Sequence, residues 1–443
     1  MRHAAIVLPG LLAIACESSP QTITKEPTKQ TRAAASQPSE RTPPAPEKLV
    51  ETWPPAIPSL LLEKLEIERA GSFILPEGTN ELTPRAAVAL DRGFALVGEA
   101  VSIDGPAQTR RWVGFVSTAD RVSEGAGVQL GTGSIHAAIS DDKGGALLVG
   151  DVGSWPNARG WFGTLDAKGA VTTELELASE APTQMFDLLA GHGPEQRALL
   201  VGNVDARGLV VSIGPRGDVR WQTFVSNSGA TQIHASARVH GVRGNVLAIG
   251  TRAQGAGVSE SWWSTIADGP AGTDARVEQG RFQIAGADPD QVLEVIVDLG
   301  DDIGFLALGR ARRDLVQDHD QIIAVGFDRT GAPTWSRALE YFRGMEIYGA
   351  AVDPERPGIA NFVVRIPIGG DKGRSALGWL DICPGVDGIL IPRQLAGTEG
   401  WASAGFIEGR EGRPAILTYA RTETGIDWRV LPLSTSYYVG APS

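Results

Sequence analysis

The sequence predicts an all-β fold built from repeated four-stranded units, and two observations support this. First, one short apolar strand recurs seven times between about residue 85 and the C-terminus. Its copies begin at Phe94, Ala146, Ala198, Val246, Phe305, Phe362 and Ala415, so successive starts differ by 52, 52, 48, 59, 57 and 53 residues. Second, this period accommodates four short strands with turns, which is one propeller blade. We therefore expect a seven-bladed β-propeller of four-stranded antiparallel blades.

We label the strands of each blade a to d from the inside outwards, and the recurring strand is strand b. Its residues are apolar at consecutive positions, as in 146–150. A strand with one solvated face would alternate instead, so both faces of strand b must be covered. Strand c is the next apolar run, and its copies begin at Trp112, Trp161, Leu209, Trp262, Ile323, Ala376 and Asp427.

Strand a precedes strand b and is rich in small residues, as in 85–89, 136–140 and 401–405. Small side chains suit the crowded axis of a propeller. The segment Ile67 to Leu75 precedes the first strand a, and we expect it to pair as the outer strand of the last blade. Such pairing would join the two chain ends and leave no open edge. Six or eight blades fit less well, because no eighth copy is found.

The turns after strand c carry a recognisable signature. Asp166–Gly169 and Asp328–Gly331 read Asp-x-x-Gly, in which Asp bonds the backbone two residues on and Gly accepts positive φ. The turn Gly214–Gly217 is a variant of this pattern. Trp221 and Trp335 stand four residues after Gly217 and Gly331, the last residues of two of these turns. These features resemble the Trp-containing Asp-x-x-Gly propeller repeats of secreted bacterial proteins and lipoproteins, including myxobacterial ones. The resemblance covers nearly the whole folded region and implies the fold, but almost nothing about activity.

The N-terminus has the layout of a secretory signal. Arg2 and His3 precede an apolar run over residues 4–15 that is too short to span a bilayer. The end of this run resembles the lipobox of bacterial lipoproteins, although Ala13 departs from the usual leucine. The resemblance implies that residues 1–15 are removed and that Cys16 is diacylated. Cleavage of an ordinary signal peptide after Ala15 or Cys16 is the alternative.

Three segments follow from this pattern: a lipoprotein signal peptide over 1–15, a lipidated Cys16 with a Pro/Ser/Thr-rich disordered tether over 16–58, and a propeller domain over 59–443. The tether has too little apolar area to offset its chain entropy. The expected location is the bacterial cell envelope, anchored by lipid at the outer membrane on its periplasmic or surface face. The only other cysteine is Cys383, so lipidation of Cys16 excludes an intramolecular disulfide.

The net charge and the absence of known catalytic motifs limit the classes of function that the sequence supports. A net charge of −12 argues against a nucleic-acid partner, which needs a clustered basic surface. We find no Gly-x-Ser-x-Gly, His-Glu-x-x-His, Cys-x-x-Cys or phosphate-loop motif, and we predict no cofactor, no metal and no catalytic residue. His136 and His234 lie two blades apart and are a weak ligand set for a metal.

The first residues of the inner strands are expected to form a ring at one face: Arg85, His136, Phe186, His234, Leu293, Tyr348 and Trp401. One cation, two imidazoles and several aromatic side chains at one mouth suit a glycan, a peptide or an aromatic ligand. The alternative is that these side chains only plug the channel. A second cluster, from Arg310 to Asp320, is interpreted as a solvated loop between strands b and c.

The function that fits these observations is a non-catalytic binding or scaffold module for an envelope protein or polysaccharide. Two alternatives stay open. One is an extracytoplasmic hydrolase or lyase with its site at the propeller mouth. The other is an outer-membrane assembly lipoprotein, which would require an exposed apolar or edge-strand patch.

Overall fold

The computed structural model describes residues 61–63, 67–102, 108–117, 124–125, 127–179, 181–225, 230–239, 245–255, 258–267, 276–282, 284, 287, 290–300, 302–312, 320–339, 346–352, 358–367, 375–382, 393–408 and 414–432. These residues form strands joined by turns and loops, with no helix among them, so the predicted all-β class is confirmed. Within this part of the chain, no helix suited to crossing a membrane is found. The predicted signal peptide, Cys16, the tether and Cys383 lie outside it.

The strands of the first half are β1 (Leu61–Glu63), β2 (Arg69–Ile74), β3 (Glu81–Leu90), β4 (Gly93–Ser102), β5 (Gln108–Ser117), β6 (Glu124–Gly125), β7 (Val128–Ser140), β8 (Ala146–Val152), β9 (Arg159–Leu165), β10 (Val171–Glu176), β11 (Thr183–Ala190), β12 (Ala198–Val204), β13 (Arg207–Ile213) and β14 (Val219–Phe224).

Those of the second half are β15 (Thr231–Arg238), β16 (Val246–Gly255), β17 (Val258–Ala267), β18 (Arg276–Phe282), β19 (Asp290–Asp298), β20 (Phe305–Arg312), β21 (Asp320–Phe327), β22 (Pro333–Leu339), β23 (Glu346–Val352), β24 (Ala360–Pro367), β25 (Ser375–Ile382), β26 (Arg393–Leu395), β27 (Ala402–Glu408), β28 (Pro414–Thr422) and β29 (Gly425–Pro432).

Antiparallel pairing arranges most of these strands in seven successive groups of four. Their a strands are β3, β7, β11, β15, β19, β23 and β27, and each pairs with the strand that follows it. The long strand β7 serves two groups, because its start pairs with β5 and its end with β8. The order a to d expected from the repeat matches this pairing.

The last group takes its outer strand from the start of the chain. The expected strand over Ile67 to Leu75 is observed as β2, which pairs antiparallel with β29 from Arg69↔Val430 to Ile74↔Gly425. This predicted pairing is therefore confirmed. The short strands β1 and β6 extend the last two groups by parallel pairing with β26 and β2.

Apolar clusters cover both faces of every group. Among the described residues there are seven such clusters, and each combines side chains of two consecutive groups. One of them joins the seventh group to the first, where Phe94 meets Trp428 edge-on with ring centroids 5.2 Å apart. Strand b is accordingly buried at consecutive positions, as in β8. The double-sided burial expected from its sequence is confirmed.

A β-bulge interrupts the pairing of strands a and b at the same place in each group. The strand b residue beside the bulge is glycine in five groups, namely Gly98, Gly150, Gly202, Gly250 and Gly309. A methyl group on any of these glycines would lie 1.9 to 2.2 Å from a backbone oxygen of strand a. The recurring glycine of the sequence repeat is therefore required by close backbone approach.

The bulge also corrects the alignment of the last two repeats. Val364 and Thr418 occupy the glycine position there, because they pair with the residues Ile347 and Ser403 that precede the bulges. The equivalent strands therefore begin at Ala360 and Pro414, not at Phe362 and Ala415. In the other five repeats a glycine marks the register. These two repeats lack that glycine, so the apolar pattern alone aligned them incorrectly with the others.

The Asp-x-x-Gly turns form as predicted. Asp166 Oδ1 accepts hydrogen bonds from the amides of Lys168 (2.8 Å) and Ala170 (2.9 Å), and these donors hold the pKa of Asp166 below its usual value. Gly169 closes the turn with φ of 79°. Asp328 makes the same two backbone contacts with Thr330 and Ala332. These turns lie at the end of the groups where strands a finish, opposite the predicted site.

Candidate functional site

Each of the first six bulges presents one residue of strand a without a paired partner in strand b, and the seventh presents two. These residues define what we call the bulge ring. Its members are Arg85, His136, Phe186, His234, Glu294 and Tyr348, with Ala404 and Gly405 in the seventh group. The ring lies towards the end of the groups at which strands a begin, which we call the mouth face. Five of the residues predicted for the site occupy bulges.

Two predicted ring residues lie elsewhere. Leu293 is fully buried in an apolar cluster, and its neighbour Glu294 takes the bulge. Trp401 precedes β27 by one residue, and the guanidinium of Arg429 stacks on it 3.9 Å from the ring centroid. Because a bulge adds one residue to strand a, counting from the apolar pattern of strand b does not identify the bulged position.

A second set of side chains, which we call the partner row, comes from strand b. These residues directly follow the one beside the bulge, and they are Glu99, Asp151, Asn203, Thr251, Arg310, Arg365 and Tyr419. Sequence reasoning missed this row as a set. The available signal was the position immediately after the glycine of each repeat, which is polar in all of the first five copies.

The first two groups are joined by a continuous polar network. Arg85 Nη2 donates to Glu99 Oε1 at 2.6 Å, and the hydroxyl of Ser134 donates to Glu99 Oε2 at 2.6 Å. The amide of Ser134 donates to Asp151 Oδ1 at 3.2 Å. Asp151 Oδ2 contacts His136 Nε2 at 2.7 Å, and that carboxylate is almost fully buried. The partner row thus fixes the positions of Arg85 and His136.

The next group continues the ring with an aromatic side chain. The ring centroids of His136 and Phe186 are 5.3 Å apart at an interplanar angle of 52°. Next to Phe186, Asp187 accepts hydrogen bonds from the amide and hydroxyl of Ser236, both at 2.7 Å. Burial raises the pKa of Asp187, and these hydrogen bonds oppose that rise. Asp187 thereby ties the third group to the fourth.

The opposite side of the ring is built from the fourth and fifth groups. His234 Nε2 contacts Thr251 Oγ1 at 3.2 Å, and Arg310 Nε donates to Glu294 Oε1 at 2.8 Å. Burial, together with the positive charge of Arg310, lowers the pKa of His234 to about 4. The imidazole is therefore neutral at pH 7.

The interpretation of the Arg310 to Asp320 segment as a surface loop needs correction. Arg310 and Arg312 lie within β20, and Asp320 begins β21. Arg310 belongs to the partner row because the apolar strand extends beyond Gly309 and continues to pair with β19 and β21. Arg313, Asp314, Asp318 and His319 lie outside the described residues.

The neutral His234 predicts a specific pH dependence of stability. An unfolded histidine gains a proton as the pH falls below about 6.5, whereas His234 resists protonation down to about 4. Its contribution to stability is therefore present at pH 7 and is lost as the pH falls between these values. Between pH 7 and pH 4.5, urea unfolding should show a larger loss of free energy in the wild type than in His234→Gln, by up to about 3 kcal/mol.

The matched control for this measurement is His192→Gln, which removes an exposed imidazole. We expect this variant to keep the wild-type dependence on pH. Equal slopes for the wild type and His234→Gln would contradict the assignment of a neutral His234.

The sixth and seventh groups supply the remaining members of the bulge ring. Tyr348 Oη donates to Glu346 Oε2 at 3.1 Å, and Arg365 Nη1 donates to Glu346 Oε1 at 3.1 Å. Burial, and secondly the charge of Glu346, raises the pKa of Tyr348. In the seventh group the bulge carries only Ala404 and Gly405, so no large side chain fills the ring there.

The ring does not assemble a metal site from the residues that the structure describes. Within them, no three His, Cys, Asp or Glu side chains come close enough to hold a metal ion. His136 and His234 contact different partners, Asp151 and Thr251.

A cavity of about 560 Å³ lies outside the ring. Its walls come from the segment that leads into β11 and from β13 and β14. The guanidinium of Arg207 stacks on Phe224 there, 4.1 Å from the ring centroid. Sequence reasoning did not single out this cavity, because its lining residues share no repeat position.

Comparison with known proteins found distant structural similarity and no family. No protein-family model and no curated protein matches the chain. Solved structures that resemble it include a periplasmic gluconolactonase of Pseudomonas aeruginosa, with 11% identity, a TM-score of 0.45, and coverage of 71% of this chain and 86% of that one.

Two further structures are similar to the same degree. The β-propeller domain of the Trilobed protease from Pyrococcus furiosus has 10% identity, a TM-score of 0.40, and coverage of 79% and 95% of the two chains. A protein of unknown function from Dyadobacter fermentans has 10% identity, a TM-score of 0.44, and coverage of 84% and 100%. All three TM-scores are below 0.5.

Proposed function

We propose that this chain is a lipid-anchored protein of the bacterial cell envelope whose seven strand groups close into a β-propeller. Its mouth face binds an envelope protein or polysaccharide without catalysing a reaction. Closure is supported by the contacts of each a strand with the next, including β27 with β3, and by the apolar cluster shared by the seventh and first groups. The strand β2 adds the pairing that joins the chain ends.

The observation that carries the binding proposal is the pairing of ring and partner row. Arg85 has 48% of its side chain exposed, yet its guanidinium is held by a Glu99 that is 13% exposed. His136 is held in the same way by Asp151. Side chains that are fixed before binding lose less conformational freedom when a ligand arrives, which favours affinity. The mouth face thus offers a cation, an imidazole and an aromatic ring in fixed positions.

The same contacts favour binding over hydrolysis. Catalysis by a serine would require its hydroxyl to face the imidazole of the His136–Asp151 pair. The nearby Ser134 instead donates its hydroxyl to Glu99 and its amide to Asp151. These groups stabilise one another, and the arrangement suits presentation of the ring to a ligand.

Binding at the mouth face predicts that ring variants lose partners. Wild type and an Arg85→Gln/His136→Gln variant would be used to capture components from solubilised envelope membranes. We expect the variant to recover the specific partner about tenfold less efficiently, because two fixed polar contacts are removed. Arg329→Ala is the control, since it removes an exposed arginine of the Asp328 turn, at the end of the groups opposite the mouth face.

Circular dichroism should show that the ring variant is folded. If the folded variant retains every partner, or if the wild type turns over a ligand that it captures, the proposal is wrong.

The lipid anchor predicts a modified N-terminus. Mass spectrometry of the mature protein should identify Cys16 as the first residue with a diacylglyceryl group on sulfur, because stable anchoring needs two or more acyl chains. Cys16→Ser should move the protein from the membrane to the soluble fraction. An unmodified cysteine, or a mature chain that starts elsewhere, would reject the anchor.

A further inference from the structure

The bulge ring has a gap at the seventh group. Gly405 adopts φ of 98°, and a methyl group placed on it would have no atom within 4 Å. At the equivalent positions the neighbouring groups carry Tyr348 and Arg85. The gap is therefore open space at the mouth face, with a large side chain on each side.

Three arginine–glutamate pairs surround this gap. Arg85 contacts Glu99 at 2.6 Å in the first group, and Arg365 contacts Glu346 at 3.1 Å in the sixth. The third pair bridges the seventh and first groups, where Arg421 contacts Glu81 at 2.6 Å and also donates to Thr83. The three arginine side chains are each 40% to 55% exposed, so they can reach a ligand.

A buried tyrosine lies among these pairs. Tyr419 belongs to the partner row of the seventh group and is only 8% exposed. Burial raises its pKa, while the nearby charges of Arg421 and Arg85 lower it and those of Glu346 and Glu81 raise it. Its hydroxyl stays protonated at neutral pH, so it can both donate a hydrogen bond to a ligand and accept one from it.

The chemistry around the gap fits a neutral ligand that carries many hydroxyl groups. The three arginines and three glutamates balance in charge, and the chain as a whole carries −12, so an anionic polymer gains no net attraction. Adjacent guanidinium donors and carboxylate acceptors match neighbouring sugar hydroxyls, each of which donates and accepts. Tyr348, which is partly exposed, adds an apolar ring face for the C–H face of a sugar.

We propose that the gap between Arg85, Tyr348 and Arg421 binds a neutral polysaccharide, with the Tyr419 hydroxyl as one of its hydrogen-bonding groups. This inference rests on the proposed binding function and specifies the ligand class and its position on the mouth face. The contacts are made by the sixth, seventh and first groups, on the opposite side of the ring from His234.

The test measures binding of the full mature chain to a panel of probes by isothermal titration calorimetry. The probes are neutral gluco-, manno- and galacto-oligosaccharides, with polygalacturonate and chitosan oligomers as anionic and cationic counterparts. We expect at least one neutral probe to bind and to bind more tightly than both charged ones. Arg421→Ala should weaken this binding about tenfold, since hydrogen bonds to charged groups are worth about 1.5–3 kcal/mol.

Tyr419→Phe provides an independent variant, because it removes only the hydroxyl and keeps the buried ring. We expect it to weaken binding about threefold to tenfold with an unchanged melting temperature. Arg159→Ala, which breaks a comparably exposed arginine–glutamate pair on outer strands, should bind like the wild type.

Several results would overturn this inference. One is that no neutral probe binds, and another is that a charged probe binds more tightly. A third is that binding survives Arg421→Ala and Tyr419→Phe but is lost in Arg207→Ala, which would place the ligand in the outer cavity. If the polysaccharide test fails but the Arg85→Gln/His136→Gln variant still loses an envelope partner, the proposed binding function stands and only the ligand class is wrong. If the capture experiment fails as well, both proposals are rejected.

Discussion

Replacement of Gly150 by alanine is expected to lower the free energy of unfolding by about 3 kcal/mol, at the upper end of the effects of overpacking. The added methyl carbon would lie 1.9 Å from the backbone oxygen of Ser134, far inside van der Waals contact. The neighbouring atom belongs to the backbone of β7, so a side-chain rotation cannot relieve the clash. The bulge at His136 must shift, and with it the contact between His136 and Asp151. Urea denaturation would measure the loss.

The control for this substitution is another glycine of the same architecture. A methyl group on Gly349 would meet its nearest atoms at 3.5 and 3.8 Å, which is ordinary contact. Gly349→Ala should therefore change stability by no more than about 0.5 kcal/mol. If the two alanine variants are equally stable, the recurring glycine is not explained by the bulge.

Truncation of Phe73 to alanine should cost about 3–5 kcal/mol, as for other buried phenylalanines. Phe73 lies on β2, is 2% exposed, and meets Trp112 edge-on with centroids 5.2 Å apart. It belongs to the apolar cluster shared by the seventh and first groups, so the cavity would open where the two ends of the chain meet. The melting temperature and the urea midpoint would both fall.

The adjacent Ile74 is the matched control, because it lies on the same strand but is 51% exposed. Ile74→Ala should change stability by no more than about 0.5 kcal/mol. A small effect of Phe73→Ala would show that the pairing of β2 with β29 contributes little to the fold.

Much of the fold follows from local sequence patterns. Consecutive apolar residues predict a strand covered on both faces, and the seven clusters supply that cover. The turn at Asp166 is encoded in four residues and forms as expected. The pairing of β2 with the last group follows from the one strand that the final repeat lacks.

The candidate site was less predictable than the fold, because the positions of its residues depend on the register between strands a and b. A bulge shifts strand a by one residue relative to strand b, so Glu294 replaces Leu293 in the ring. Trp401 resembled a ring residue in type but lies before the strand and under Arg429. The partner row was hidden for a related reason. Residues such as Asp151 acquire their role only from a side chain on the neighbouring strand.

The bulges place side chains of different chemistry on one repeated backbone geometry. One backbone geometry carries arginine, histidine, phenylalanine, glutamate, tyrosine and glycine in successive groups. Arg85, His136, Phe186, His234 and Glu294 are not members of the apolar clusters, so we expect their exchange to leave the strand pairing in place. If the mouth face binds a ligand as proposed, exchange of one or two of these side chains is expected to change the binding specificity while the fold is kept.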